Sequence, residues 1–346
     1  MRALACVVLA ATVGACAASD VREPPSATAL LATEPDIATP LLTVADAERI
    51  EPLEMRPTPV LPVTITDATG ADVTITSADR IVALNGSLAE IVFTLGLGDQ
   101  VVGRDATTTF VEAGDLPLIS TGHDVSAEGV LSLRPTVVLA DTRTGPPEVL
   151  QQLRSAGVPI VILAEAWSLE EVSPRVLAVA DALGVREAGQ RLAARTDTEI
   201  AAVQARSTVT STPARVAFLY LRGGAGIYLL GGDGSGTDSL LEAIGVIDVG
   251  TDLGLGPFTP LTSEALVTAQ PDVLLVMDGG LESVGGIAGM ARVAGVAQTP
   301  AGMAGRFVAL PDGLLLNFGP RTGRTLALLA QQVDAALASV DRSQAP

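Results

Sequence analysis

The chain contains no lysine and few of the other residues on which most metal and catalytic sites depend. All 21 basic residues are arginine, and the 346 residues include one histidine, two cysteines and two tyrosines. Without lysine, a Walker A phosphate loop, a pyridoxal Schiff base and a lysine nucleophile are excluded. No G-x-S-x-G sequence is present, which argues against a hydrolase with a serine nucleophile elbow.

Both cysteines, Cys6 and Cys16, lie at the start of the chain, in MRALACVVLAATVGAC. The apolar run is shorter than the roughly 20 residues that span a bilayer, but it suits a signal peptide. Small residues before Cys16 resemble the lipobox of bacterial lipoproteins, in which the cysteine carries the lipid. We therefore predict a signal peptide over residues 1–15 and a lipid anchor at Cys16. The alternative is an ordinary secretory signal with an incidental cysteine.

The charge balance argues against nucleic acid as a partner. The formal net charge is −18, so the chain repels a phosphate backbone. Hydrophobic residues make up 48% of the sequence and charged residues only 17%, which is enough apolar surface for a sizeable core. The length suits two α/β lobes or one large domain.

The N-terminal third changes from a proline-rich segment to alternating patterns. Residues 16–60 are rich in proline and lack periodicity, which predicts a disordered tether, with a short helix conceivable over 43–51. The pattern of 63–76 predicts a β-hairpin. After it, a buried strand, a polar turn at Asn85, a helix and another strand predict a parallel sheet.

One sequence unit occurs twice. Residues 126–141 and 263–278 each place an acidic residue, Glu128 or Glu264, seven positions before a proline, and a run of apolar residues follows the proline. This helix–turn–strand unit in each half of the chain predicts two similar lobes.

A long helical stretch separates the two copies. Ser168 and Glu171 form a predicted capping box, Gly184 is a helix stop, and 185–206 predicts a helix about 33 Å long. The resulting division is a first α/β lobe over 61–184, a connecting helix over 185–207 and a second lobe over 208–346.

Three groups of residues offer chemistry, each with a simpler alternative. His123 lies in a polar loop and is either a ligand or a solvated side chain. Tyr220 and Arg222 share one face of a predicted strand. Tyr220 is either a ferric-iron ligand supported by the charge of Arg222, or an aromatic residue at the rim of a sheet that the arginine covers. The glycines of 231–236 precede a helix predicted to begin at Thr237 or Asp238, and form either an anion site or a tight turn.

Several segments resemble a known family. SLAEIVFTLGLGDQVVG and LLLNFGPRTGRTLALL are similar to the binding proteins of haem, siderophore and cobalamin importers. ISTGHDVSAEGVLSLRPTVVLAD, LYLRGGAGIYLLGGDGSGTDSLLEAIG and NFGPRTGRT look like haemin-binding lipoproteins of the HmuT type. The resemblance covers about residues 61–340. It implies a class III substrate-binding fold, with two Rossmann-like lobes joined by a single long α-helix.

The resemblance also implies a ligand set and partners. Haem b would sit between the lobes as transported ligand, with His123 and Tyr220 on opposite faces of the iron and Arg222 supporting the tyrosine. Tyr228 competes with Tyr220, and both Tyr228 and Arg321 are candidates for the pocket.

The implied partners are the permease and ATPase subunits of an ABC importer, and the membrane through the lipid anchor. One acidic residue of each lobe would dock on the transporter, and Glu90 and Glu242 resemble these two. The implied activity is carriage and not catalysis. The alternative is a protein of the same fold for a ferric siderophore or cobalamin.

The anchor is testable directly. Because Cys16 is the only cysteine of the predicted mature chain, Cys16→Ser should move the protein from the membrane fraction to the soluble fraction or the medium. Fractionation followed by immunoblotting measures this, with Cys6→Ser as the control. Membrane association unchanged by Cys16→Ser would contradict the lipid anchor.

Overall fold

A computed structural model describes residues 42–121, 124–207 and 212–338 of the chain. Two predicted positions, Cys16 and His123, therefore lie outside the described residues. Within the described ranges, no helix combines the length and the apolar character needed to cross a membrane.

The first lobe is built on a parallel sheet, as predicted. Its four strands lie in the order Val101–Arg104, Ile81–Ala83, Val137–Asp141 and Ile160–Leu163. Apolar side chains from both faces of this sheet form two buried clusters, one beneath the helices that precede the connecting helix and one on the other face. The predicted hairpin is also confirmed, since Val63–Thr66 pairs antiparallel with Asp72–Ile75.

The second lobe has a mixed sheet. The strands follow the order Phe258–Pro260, Ile227–Gly231, Arg215–Arg222, Val273–Met277 and Phe307–Leu310, and Ile247–Asp248 pairs with the central strand. The strands Arg215–Arg222, Val273–Met277 and Phe307–Leu310 are parallel to one another. On the other side of Arg215–Arg222, the strand Ile227–Gly231 pairs antiparallel with it, and Phe258–Pro260 pairs antiparallel with Ile227–Gly231. Gly226, with φ of +67°, allows this reversal, which the sequence pattern did not predict.

Helices cover both sheets and connect the lobes. The α-helices are Val44–Glu48, Gly86–Val92, Ala127–Ser132, Pro147–Ser155, Val172–Ala182, Arg186–Gln204, Thr237–Ala243, Val249–Asp252, Ser263–Ala269, Asp278–Ser283, Gly286–Met290, Pro300–Ala304, Asp312–Leu315 and Thr322–Ala338. The helix Arg186–Gln204 is the predicted connecting helix. The Ser168–Glu171 capping box and the stop at Gly184, with φ of +69°, are both present.

The repeated sequence unit is a repeated structure. Ser126 and Thr262 cap their helices in the same way, by accepting from the backbone N–H three residues later at 3.0 and 3.1 Å. Arg134 and Gln270, the residues before the two prolines, both adopt left-handed backbone conformations with φ of +48° and +47°. The two halves therefore contain the same helix–turn–strand unit, as predicted.

Arginines anchor both copies identically. Arg80 Nε donates to Leu133 O at 2.9 Å, and Arg215 Nε donates to Ala269 O at 2.9 Å. Arg80 directly precedes the strand Ile81–Ala83 and Arg215 begins its strand, and each binds the end of the helix in the repeated unit, so the two units dock on their sheets through the same contact.

The segment 42–62, which we name the strap, corrects the predicted tether. Leu42 exchanges two hydrogen bonds with the Gln331 side chain, both 3.1 Å long. Further along, Leu53 N donates to Thr94 O. The strap thus packs on the second lobe at its start and on the first lobe at its end, so residues 42–60 are not a disordered tether, while residues 16–41 of the predicted tether lie outside the described residues. Proline content misled the prediction, because it reports extended backbone and not the absence of packing.

Candidate functional site

Polar and aromatic residues gather where the parallel strands end. In α/β sheets the carboxyl ends of neighbouring strands meet at one edge, and ligands bind there. Tyr220 and Arg222 lie at this end of the central strand of the second lobe. Asp278 directly follows the strand Val273–Met277, and Asp312 lies just after the strand Phe307–Leu310. This edge of the sheet is therefore the candidate ligand site.

Tyr220 and Arg222 share a surface, as the strand periodicity predicts. The Arg222 guanidinium carbon lies 4.6 Å from the centroid of the half-buried Tyr220 ring. It stacks on the ring face, a cation–π contact, and its Nη1 donates to Leu221 O at 2.9 Å. The same tyrosine ring meets Phe258 edge-on, with 5.7 Å between centroids. Tyr220 is thus held between an arginine and a phenylalanine.

Tyr228 does not share this surface. It pairs with Leu221 in the hairpin, whereas Tyr220 pairs with Leu229, so the two tyrosines point to opposite faces of the sheet. Tyr228 is 36% exposed and lines a groove of about 330 Å³ with Arg292 among its walls. The structure therefore corrects the suggestion that Tyr228 belongs to the same pocket as Tyr220.

The Arg222 guanidinium pairs with one acidic residue, Asp312. Its Nη2 donates to Asp312 Oδ1 at 2.9 Å, and Asp312 Oδ2 accepts from Gly279 N at 2.8 Å. Burial raises the pKa of the neighbouring Asp278 carboxyl, and the charge of Asp312 raises it further. Asp312 is thus the ion-pair partner of Arg222 within the described ranges, and its charge also disfavours ionisation of Asp278.

The corresponding edge of the first lobe is fixed by a buried polar network. Asn85 Nδ2 donates to Asp141 Oδ2 at 2.8 Å, and the Arg175 guanidinium lies 3.6 Å from the same carboxylate. Arg175 Nη1 also donates to Ala164 O at 2.5 Å. Burial lowers the pKa of Arg175, and Asp141 opposes that effect by stabilising the charged form. This network ties three loops at the carboxyl ends of the first sheet.

The only tryptophan connects the two edges. Trp167 Nε1 donates to Glu165 Oε2 at 2.7 Å, and the Arg143 guanidinium lies 5.4 Å from the Trp167 ring centroid. The Trp167 ring meets Phe258 of the second lobe at 6.5 Å, in an edge-on arrangement. Because Phe258 also contacts Tyr220, an aromatic series runs from one lobe to the other.

The glycine-rich turn before residue 237 is not free to bind an anion. The helix begins at Thr237 with Gly236 as its N-cap, and Asp238 Oδ2 already accepts from Gly234 N at 2.8 Å. The chain's own carboxylate thus occupies the amide that an external anion would need, which favours the tight-turn interpretation.

Glu90 is not an exposed docking residue. Its side chain is fully buried, and its carboxylate accepts from Arg321 N at 2.6 Å and from Arg321 Nη2 at 2.8 Å, and also from Asn317 Nδ2. Arg321 is 3% exposed and also donates to Glu48 O of the strap. The structure therefore corrects the prediction for Glu90, which offers no carboxylate to a transporter, while the side chain of Arg321, a predicted candidate for the haem pocket, is engaged by Glu90 and Glu48.

Small residues let the lobes approach at this contact. A Cβ atom on Gly319 would lie 2.7 Å from the Glu90 carboxylate, and one on Gly313 would lie 1.9 Å from Thr109 Oγ1. Neither position has room for a side chain. The glycines of the 313–323 segment therefore serve the contact between the lobes.

Sequence reasoning missed Trp167, Phe258, Arg143 and Asp312. Arg143, Trp167 and Asp312 each follow a buried strand within a few residues, and Phe258 begins a strand of the second sheet. Because the carboxyl ends of parallel strands converge, the positions of the first three were the available signal. No group of three or more His, Cys, Asp or Glu side chains suited to a metal ion occurs within the described ranges, which leave out His123.

Comparison with known proteins finds haem-binding proteins and also a vitamin B12-binding protein of Vibrio campbellii, which is 25% identical over 62% of this chain and 75% of its own length. A family model described as periplasmic binding protein matches residues 81–314. The periplasmic haem-binding protein RhuT from Roseiflexus sp. RS-1 is 45% identical, covering 75% of this chain and all of that one, with a TM-score of 0.72. The haem-binding protein HmuT is 36% identical over 82% of this chain and 94% of that one, with a TM-score of 0.78. An ABC transporter substrate-binding lipoprotein of Bacillus subtilis, YvrC, is 29% identical over 64% of this chain and 71% of its own length.

The solved HmuT structures include three single-residue variants. Alanine replaces a tyrosine in one, an arginine two positions after that tyrosine in another, and a histidine earlier in the chain in the third. Tyr220, Arg222 and His123 have the same residue types, the same order and the same spacing of tyrosine and arginine.

The buried pair predicts a large stability effect. Glu90→Ala leaves the Arg321 guanidinium buried without its carboxylate, so the free energy of unfolding should fall by about 3–5 kcal/mol. Glu242 is exposed near the end of a similar short helix, so Glu242→Ala should change the free energy of unfolding by less than about 0.5 kcal/mol. Urea unfolding followed by circular dichroism measures both, and equal effects would contradict the role assigned to Glu90.

Proposed function

The chain belongs to the periplasmic binding protein family, and from this premise we propose that it is an extracytoplasmic carrier that binds ferric haem between its lobes and delivers it to an ABC importer. The two α/β lobes and the single connecting helix are those of the class III substrate-binding fold. The observation that carries the haem assignment is Tyr220 at the carboxyl edge of the second sheet, stacked under Arg222.

Tyrosinate is a suitable ligand for ferric iron, and it needs help at neutral pH because free tyrosine has a pKa near 10. Binding to ferric iron would supply that help. We propose His123 as the ligand on the opposite side of the iron. The similarity to HmuT, whose tyrosine, arginine and histidine have been replaced singly, supports this set.

If His123 and Tyr220 both bound the iron, they would leave no position open for oxygen chemistry, which would suit a carrier better than an enzyme. We take the ligand to be haem b, since the only cysteines are Cys6 and Cys16 and no C-x-x-C-H attachment motif is present. The aromatic series of Trp167, Phe258 and Tyr220 supplies apolar surface for a flat ring.

We propose that the carrier is anchored by lipid at Cys16 on the extracytoplasmic face of the membrane. The predicted signal peptide and the similarity to the lipoprotein YvrC support this location. A carrier tethered beside its transporter gains effective concentration without any added contact.

Docking on the transporter requires an exposed acidic residue on each lobe, and the repeated unit offers a matched pair. Glu128 and Glu264 are both exposed, and each lies in the first turn of the helix of the repeated unit. Since the two units have the same caps and the same anchoring arginines, their carboxylates are presented equivalently. We propose Glu128 and Glu264 as the docking residues, because Glu242 is exposed but its counterpart Glu90 is buried.

The assignment of the iron ligand is tested by two matched variants. Tyr220→Phe should remove the tyrosinate-to-iron charge-transfer features and release haem at least about tenfold faster, equivalent to about 1.4 kcal/mol. Tyr228→Phe, on the opposite face of the sheet, should leave the spectrum unchanged. Haemin titration followed by absorption, with an apomyoglobin capture assay for release, measures both. A wild-type protein that forms no one-to-one Soret complex, or that binds cobalamin or a ferric siderophore instead, would refute the haem assignment.

The docking pair is tested by charge reversal. Glu128→Arg and Glu264→Arg should each lower haem uptake, or stimulation of the transporter ATPase, while haemin binding stays normal, because like charges then face the arginines expected on the transporter. Glu242→Arg is the control on the same lobe as Glu264. Normal transport by both repeated-unit variants, or loss of transport only with Glu242→Arg, would show that the pair is assigned wrongly.

A further inference from the structure

We propose that Asp312 is a positioning residue that holds the Arg222 guanidinium over the Tyr220 ring. The inference rests on the proposed function in one respect, namely that Tyr220 binds the haem iron. It adds Asp312, which follows a different strand of the same sheet, to the pair formed by Tyr220 and Arg222.

Arg222 is tethered on two sides. One nitrogen, Nη1, donates to Leu221 O at 2.9 Å, and the other, Nη2, donates to Asp312 Oδ1 at 2.9 Å. With both terminal nitrogens engaged, the plane of the guanidinium is fixed, and its carbon lies 4.6 Å from the ring centroid of Tyr220. An arginine without such tethers must lose the rotamer entropy of a long side chain before it holds one position.

Asp312 is itself held in place. Its second oxygen, Oδ2, accepts from Gly279 N at 2.8 Å. A Cβ atom on Gly279 would lie 3.1 Å from that oxygen, so the absence of a side chain lets the backbone approach the carboxylate. The carboxylate thus bridges the turn after the strand Val273–Met277 and the end of the strand Arg215–Arg222.

Topology explains why this residue comes from so far along the chain. The strands Arg215–Arg222, Val273–Met277 and Phe307–Leu310 are parallel neighbours, so their carboxyl ends share an edge. Asp312 follows the last of them and reaches across the middle one to Arg222. A neighbouring carboxylate, Asp278, has no hydrogen bond to Arg222 among those that the structure gives, so the contact is specific to Asp312.

The size of the effect is limited by exposure. The Arg222 and Asp312 side chains are 32% and 38% exposed, and solvent screening keeps the contribution of an ion pair at this exposure small. Asp312→Asn should therefore release haem about two- to five-fold faster than the wild type. The variant retains an oxygen that can accept from Gly279 N, so the turn is preserved.

The chain supplies a matched control on the same strand. Arg215 Nη2 donates to Asp252 Oδ2 at 2.8 Å at the other end of Arg215–Arg222, and that pair is 29% and 49% exposed. Asp252→Asn thus removes an equivalent ion pair away from the ligand edge. It should leave haem release unchanged.

The experiment combines two readouts on full-length protein. In the haem-free protein, NMR of the Arg222 side chain reports stacking through the ring-current shift of its Cδ protons. In the haemin complex, the charge-transfer spectrum and the release rate are compared for Asp312→Asn, Arg222→Ala, the double variant and Asp252→Asn. We expect Asp312→Asn to reduce the ring-current shift, to change the spectrum in the direction of Arg222→Ala, and to add nothing to Arg222→Ala in the double variant.

Each contrary outcome has a distinct meaning. A wild-type ring-current shift and release rate in Asp312→Asn would overturn the positioning role while the haem function stands. A changed shift with unchanged spectrum and release, or additive effects in the double variant, would also overturn it, since Asp312 would then not act on haem through Arg222. A wild-type protein that forms no haemin complex would refute the proposed function, and the role of Asp312 toward haem would fail with it.

Discussion

The buried ion pair of Glu90 and Arg321 is the contact on which the arrangement of the two lobes depends. Taking a carboxylate and a guanidinium out of water costs several kcal/mol for each ion, and only close geometry with full hydrogen bonding offsets that cost. Here Glu90 accepts three hydrogen bonds from Arg321 and Asn317, and Arg321 also donates to Glu48 and Gly313. A shifted docking of the lobes would leave these charges buried without partners, so the pair selects one arrangement.

This contact has consequences for the ligand edge. It fixes the helix Gly86–Val92 of the first lobe against the start of Thr322–Ala338 of the second, while the strap joins the same junction through Glu48. With the lobes held there, Trp167 of the first lobe meets Phe258 of the second, and Phe258 braces Tyr220. The tyrosine that we propose as ligand is therefore positioned by contacts from both lobes, beyond those of its own strand.

Local patterns were sufficient for most of the elements. The hairpin, the connecting helix, the Ser168–Glu171 capping box and the repeated unit were all predicted, because each is specified by residues close together in sequence. The shared face of Tyr220 and Arg222 also followed from strand periodicity alone. Predictions failed where the partner is distant: Glu90 was assigned to the surface because its short helix carries no sign of an arginine more than two hundred positions later.

The sequence by itself determined the class of protein and the inventory of groups available for chemistry: no lysine, two early cysteines, one histidine and two tyrosines. Composition and hydrophobic periodicity are properties of the sequence itself, so they give this information without knowledge of the fold. Only the tertiary structure placed Tyr228 on the opposite face of the sheet from Tyr220, since this placement depends on the pairing of two strands in a hairpin that the sequence pattern did not predict. It alone also brought Asp312 to Arg222 and buried Glu90, because convergence of strand ends and docking of lobes are set by packing between segments far apart in the chain.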